Sequence, residues 1–232
     1  MRPQMEIWSK MLCIGVPAGA EFMLTFFYFT TVYGVIRNFG PAAQAGFGIG
    51  SRMVQVLLLP VAALTLAVPP VVGQNFGAQR SDRLRSAVYS SIVIASLLMF
   101  IPMLIAYVAP AALIRVFSSD PQVIAFGSNY LRIASLVFVP AGIAFCTASV
   151  FQGLGNTWPP LLSSTTRLVS FVIPAIVLSR MPRFDIKYVW YLQVASVALQ
   201  ASFNLLMLRR ELRIKLTFGR SDGVMLPRSS NA

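Results

Sequence analysis

Long apolar stretches, separated by short polar connections, run along almost the whole chain. Six are predicted: about 11–36, 42–74, 84–109, 122–151, 160–178 and 188–208. Each is close to or beyond the roughly 20 residues that an apolar helix needs to cross a bilayer. Helix is the predicted form because backbone facing lipid must satisfy its own hydrogen bonds. The second stretch is too long for one straight crossing and contains Pro60 and the pair Pro69–Pro70, which predicts a kink or tilt and an overhang into water. Between the third and fourth, PAALIRVFSSDP reads as a short amphipathic piece at the interface, with Asp120 capping the helix that follows. The predicted class is an all-α polytopic membrane protein. A lobe of six helices occupies 11–208, a short segment 1–10 precedes it, and a basic, Gly- and Ser-containing tail, 209–232, is expected to be disordered.

Composition supports lipid as the main solvent. The 232 residues are 56% hydrophobic and only 11% charged, against about 25% charged in soluble domains. The net charge of +12 would suit a nucleic-acid partner, but the basic residues cluster at the ends of the stretches, where they set orientation and meet lipid headgroups. Nucleic acid is therefore set aside, and the bilayer is the expected partner. Eleven Lys and Arg fall on the side of the termini and the 77–85 loop, five on the other side. Both termini are thus expected in the cytoplasm, with the protein in the plasma (inner) membrane. The N-terminus resembles a signal peptide, but its apolar run continues to Ile36, which reads as a retained span. Cys13 and Cys146 lack metal-ligand spacing, and there is no histidine. With no paired carboxylates in a span and no Ser/Lys dyad there, the expectation is no enzyme and no cofactor.

Glu21 is the residue that most needs a reason. It stands about ten residues into the first stretch, roughly 15 Å along a helix, close to the middle of a core about 30 Å thick. A charge at that depth costs between about 3 and 15 kcal/mol unless protein or water receives it. Glu21, Thr25 and Tyr28 follow i, i+4, i+7 spacing and form one stripe, with Pro17 on the same face leaving a carbonyl unpaired. A carboxylate, a hydroxyl and a phenol together can hold a monovalent cation or a cationic drug, or carry a proton. The alternative is an ion pair with Arg52, which lies about ten residues into the second stretch on a face shared with Gln44, Gly48 and Gln55. Arg52, Gln55, Gln74, Asn75 and Arg167 are read as structural or cavity-lining polar residues, and Arg132 as able to snorkel outward. The aromatic run Phe26–Phe29 with Tyr33 is read chiefly as packing, and Gly46, Gly48 and Gly50 as sites of close helix approach. The GLG at Gly153–Gly155 lacks the further residues of a phosphate loop.

VPPVVGQNFGAQRSDRLRSA resembles a signature loop of the multidrug and toxic compound extrusion (MATE) family, a GQN-GA turn followed by basic residues. IGVPAGAEF is similar to the opening of that family's seventh helix, AAQAGFGIGSRMVQVLLLP to its eighth, and DPQVIAFGSNYLRIASLVFVP to the start of its tenth. VFQGLGNTWPPLLSSTTRL is similar to the tenth-to-eleventh connection. The resemblance covers about 14–208 and implies the C-terminal lobe of a twelve-helix transporter. It implies export of cationic amphipathic compounds in exchange for Na+ or H+, with a separate N-terminal lobe or a second copy of the chain completing the transporter. The family's seventh-helix acid lies about one turn beyond Glu21, nearer Thr25. Its tenth-helix acid would fall near Ala141, in a segment without carboxylates. Other readings are a non-transporting scaffold or remnant, or a flippase of related architecture for lipid-linked substrates, whose cavity would carry more basic residues than Arg52 and Arg167 provide.

Overall fold

Two prolines, Pro60 and Pro140, stand where apolar stretches break, whereas Pro69, Pro70, Pro102 and Pro174 lie inside continuous helices. The computed structural model describes residues 5–181 and 185–215, without the side chains of 5–11, 13, 14, 17, 18 and 21. The first helix, α1 (Met5–Ile36), ends in a 3-10 turn, Arg37–Phe39, and Gly40 at φ 89° redirects the chain into α2 (Pro41–Leu57). A left-handed φ of this kind is open to glycine without steric penalty. The second predicted stretch is divided at Leu58, where α3 (Leu59–Gly77) begins with Pro60 in its first turn. The expected kink is therefore a break. The fourth stretch is interrupted too, which the apolar pattern alone did not indicate. There, α6 (Pro121–Ala134) passes through a 3-10 turn, Ser135–Val137, into α7 (Phe138–Gly153), whose first turn contains Pro140. Without an N–H at that position, the α-helical hydrogen-bond ladder cannot run straight through.

The remaining elements are α4 (Ser81–Val108), α5 (Pro110–Arg115), α8 (Trp158–Ser179) and α9 (Ile186–Lys215). Asp120 caps α6 as expected, its Oδ1 accepting from the N–H groups of Gln122 at 2.8 Å and Val123 at 3.4 Å. Five helical segments among the described residues are long and apolar enough to cross a membrane: Leu59–Gly77, Ser81–Val108, Pro121–Gly153, Trp158–Ser179 and Ile186–Lys215. The sixth expected crossing is α1, which is 32 residues long and exposes Phe22, Met23, Phe26 and Phe27.

Helix α9 runs to Lys215, so residues 209–215 continue the helix instead of opening a tail. Two features hold this end. Glu211 and Lys215 pair at 3.0 Å, one turn apart. They also reach the α7–α8 connection, where Asn156 Nδ2 donates to Glu211 Oε1 at 3.1 Å and Lys215 Nζ donates to the Leu154 carbonyl at 3.3 Å. Disorder was expected for all of 209–232, and the helix overturns that for 209–215; the rest of the tail, 216–232, lies outside the described residues.

Two broken crossings pack side by side, α2 on α6 and α3 on α7, while α4 lies against α3 and α7. Glycine permits the closest approaches: a Cβ on Gly46 would stand 2.8 Å from the Gly127 backbone nitrogen, and one on Gly153 would stand 2.8 Å from the Pro69 carbonyl oxygen. On the other flank α1 packs on α8, and α8 on α9. The buried side chains separate into two main cores. One, at the end of the α1–α2 turn, is rich in aromatics and includes Tyr28, Phe47, Tyr130, Phe171 and Trp190. The other, toward the α3–α4 turn, is mainly aliphatic and gathers Val61, Val72, Leu84, Met99, Val150 and Leu208 around Phe138 and Phe151.

Candidate functional site

Helices α1 and α2 are joined by a tight turn but make little contact with one another. Beyond that turn each has an exposed, largely apolar face: α1 carries Phe22, Met23, Phe26 and Phe27 there, and α2 and α3 carry Val56, Leu59 and Leu66, the last 80% exposed. Arg52 and Gln55 are exposed one turn apart on α2, so both candidate polar residues stand on its uncovered side. An arginine there is held over a greasy surface by a long side chain that can reach toward polar surroundings.

The Glu21–Thr25–Tyr28 stripe has a different setting from Arg52. By helical register it lies on the same face of α1 as Val32, Val35 and Ile36, all buried. That face meets α8. Tyr28 is buried, its ring 4.7 Å from Phe171 and 5.5 Å from Phe29. The Arg167 guanidinium carbon lies 5.7 Å from the centre of the Tyr28 ring, a cation–π arrangement. The Tyr28 hydroxyl has no hydrogen-bond partner among the described residues. Thr25 is half-buried on the same face. The side chain of Glu21, and with it the expected cation role and the alternative pairing with Arg52, lies outside the described residues. The fold does bring an arginine to the stripe, and it is Arg167 from α8.

Gln74 is exposed at the end of α3, and Asn75 is half-buried, its Nδ2 donating to the Val71 carbonyl at 2.8 Å. The turn after them brings the Arg80 N–H to the Asn75 carbonyl at 3.1 Å, with Gln79 at φ 55°. These two polar residues therefore shape the α3–α4 turn and stand apart from the stripe. Ala141, where the resemblance would place a second acid, is buried in α7.

A polar seam inside the lobe escaped the sequence reading. Gln193, Gln200 and Asn204 occupy one face of α9 and are buried. Gln200 Nε2 donates to Ser164 Oγ at 3.0 Å, and Asn204 Nδ2 donates to the Ala144 carbonyl at 3.4 Å. Their i, i+7, i+11 spacing in an apolar run was the available signal. Among the described residues no group of acids, cysteines or histidines could hold a metal ion.

The MatE family model matches residues 17–178. The chain belongs to the MatE family. It is 29% identical over 170 residues to the FAD transporter of Shewanella oneidensis, covering 72% of this chain and 37% of that protein. It is 26% identical over 156 residues to the probable multidrug resistance protein YpnP of Bacillus subtilis, covering 66% of this chain and 35% of that protein. Among solved structures, an outward-facing multidrug resistance MATE family transporter of the MOP superfamily is similar with a TM-score of 0.86. At 20% identity that likeness concerns the fold, and it covers 92% of this chain and 48% of the other. This MATE chain thus spans less than half the length of these relatives. It is an integral membrane protein with the fold of one MATE lobe, and the family consists of transporters.

Proposed function

We propose that the chain is the C-terminal lobe of a MATE efflux antiporter that moves small amphipathic cations against Na+ or H+. The carrying observation is the unpartnered surface of α1, α2 and α3, with its exposed aromatic and aliphatic side chains and Arg52. A second lobe covering that surface would enclose a path between two rigid bodies, the geometry that transporters built from two repeated halves use for alternating access. The charge asymmetry of the loops supports a cytoplasmic position for both termini and for the α3–α4 turn. In this reading the segment before α1 and the tail flank the lobe on the cytoplasmic side. Coupling is assigned to the stripe on the α8-facing side of α1. Its acid, Glu21, binds the ion, and Thr25 and Tyr28 share its face of α1 by helical register.

The test is ethidium accumulation in cells expressing the chain alone or together with an N-terminal MATE lobe. Export is expected only with both halves. Glu21→Gln should abolish it while the protein stays inserted. Unchanged ethidium levels in every combination would remove the export reading for this chain.

A second reading concerns substrate charge. Arg52 stands on the open surface without an acid partner among the described residues, and one relative is named a FAD transporter. An anionic aromatic substrate would suit that arginine. Arg52→Glu should impair uptake of flavin dinucleotide into vesicles and spare ethidium if this reading holds; the opposite pattern favours the cation.

A further inference from the structure

A cavity of about 490 Å³ lies where the end of α4, the middle of α6 and the start of α9 meet. Val108 is the last residue of α4 and Lys187 the second of α9, so the cavity sits at one edge of the helical layer, where lipid headgroups lie. Its polar lining comprises Lys187, Arg132, Ser128, Asn129 and Tyr191, with Val108 and Pro110 on its apolar rim. The Ser128 hydroxyl and the Asn129 side-chain oxygen are buried and have no hydrogen-bond partner among the described residues. None of the described acids lines the cavity. Asp185, close by in sequence, accepts a bond from the Lys187 backbone N–H at 3.0 Å. Two cations, Arg132 and Lys187, thus border a space large enough for a small ligand, since such sites run from about 300 to 1,000 Å³.

The cavity opens on the side of α6 away from α2. At 100° per residue, the positions that meet α2, Val123, Gly127 and Tyr130, fall opposite Ala125, Ser128, Asn129 and Arg132. If α1 and α2 face the second lobe, this side faces the bilayer. That direction rests on the function proposed above, whereas the cavity and its charge do not.

We propose that this cavity holds the phosphate headgroup of an anionic phospholipid. Arginine and lysine supply donors and positive charge to the phosphate oxygens, and the acyl chains leave past Val108 and Pro110.

The experiment uses the full 232-residue chain in mild detergent, with native mass spectrometry after addition of phosphatidylglycerol, phosphatidylcholine or soluble glycerol phosphate at equal concentration. Phosphatidylglycerol should be retained in preference to phosphatidylcholine. The double variant Arg132→Gln/Lys187→Gln should lower that retention by about tenfold or more. Arg115→Gln, at the same end of the lobe but outside the cavity, should not change it. Lys187→Glu, at an exposed position in the first turn of α9, provides the same reading if the double variant folds poorly. Equal retention of both phospholipids, or retention that survives both the double variant and Lys187→Glu, overturns the proposal. Glycerol phosphate bound as well as the lipid also overturns it, in favour of a soluble phosphate ligand. The assay involves no transport, so its failure leaves the efflux reading standing, and failure of efflux leaves the lipid result intact.

Discussion

At Tyr28 the ring fills the seam between α1 and α8, while the hydroxyl finds no partner among the described residues. Ring and hydroxyl therefore pull in opposite directions energetically. Removing the ring leaves a cavity of the kind that costs about 3–5 kcal/mol for large aromatics. Removing only the hydroxyl relieves a buried group that costs about 1–3 kcal/mol when unsatisfied. Tyr28→Ala should thus lower the thermal midpoint of the purified chain clearly, and Tyr28→Phe should leave it unchanged or raise it. A marked loss in Tyr28→Phe would mean that the hydroxyl holds a partner. The stripe containing Tyr28 was legible in sequence, because i, i+4, i+7 spacing fixes a face from local geometry alone. The neighbour covering that face was not legible. Pairing α1 with α8, and so Tyr28 with Arg167, depends on a contact between residues more than a hundred positions apart, and apolar patterning carries no register for it.

Between elements, backbone meets backbone closely at the crossing of α2 and α6, at Gly46 and Gly127. The run of glycines marked a close approach, and Gly46 and Gly50 do face α6, whereas a Cβ on Gly48 would meet the Tyr33 hydroxyl at 3.2 Å. Gly46→Leu would push a side chain into backbone that cannot yield. Overpacking of this kind costs about 1–3 kcal/mol or more, and should appear as a lower midpoint together with aggregation on size-exclusion chromatography. The opposite expectation holds at Asn204. Its bond to Ala144 is long, 3.4 Å, and its Oδ1 lacks a partner among the described residues. The Ala144 carbonyl keeps the Thr147 hydroxyl as a donor at 3.0 Å, so losing Asn204 strands no partner and removes an unpaired oxygen, and Asn204→Leu should change stability by less than about 1 kcal/mol. A loss above about 2 kcal/mol would show that the amide serves something further, such as an ion or a water chain. The break at 135–137 was missed for a simple reason. Pro140 sits in an unbroken apolar run, and hydrophobicity does not register a missing backbone donor.

For the whole lobe, the class and five of the six expected crossings were readable, because the bilayer imposes a length and a backbone rule that few sequences meet by accident. The direction of insertion rests on charge, and it is open to a direct check. A cysteine introduced as Arg80→Cys, in the α3–α4 turn, should react with an impermeant maleimide only in inverted vesicles. Arg180→Cys, beyond α8, should react only in intact cells. Labelling of both from one side would contradict alternating crossings, and the reverse pattern would turn the lobe over.

The division of the interior into an aromatic half and an aliphatic half has an optical consequence. Trp190 is stacked on Phe47 at an interplanar angle of 7° and meets Tyr130 edge-on at 4.7 Å. In a chain whose Trp8 and Trp158 are replaced by phenylalanine, all indole emission would originate from that one clamp. A loosening near the α1–α2 turn would redden the fluorescence before any helix melted, while the opposite half, nearly colourless, could rearrange in the dark.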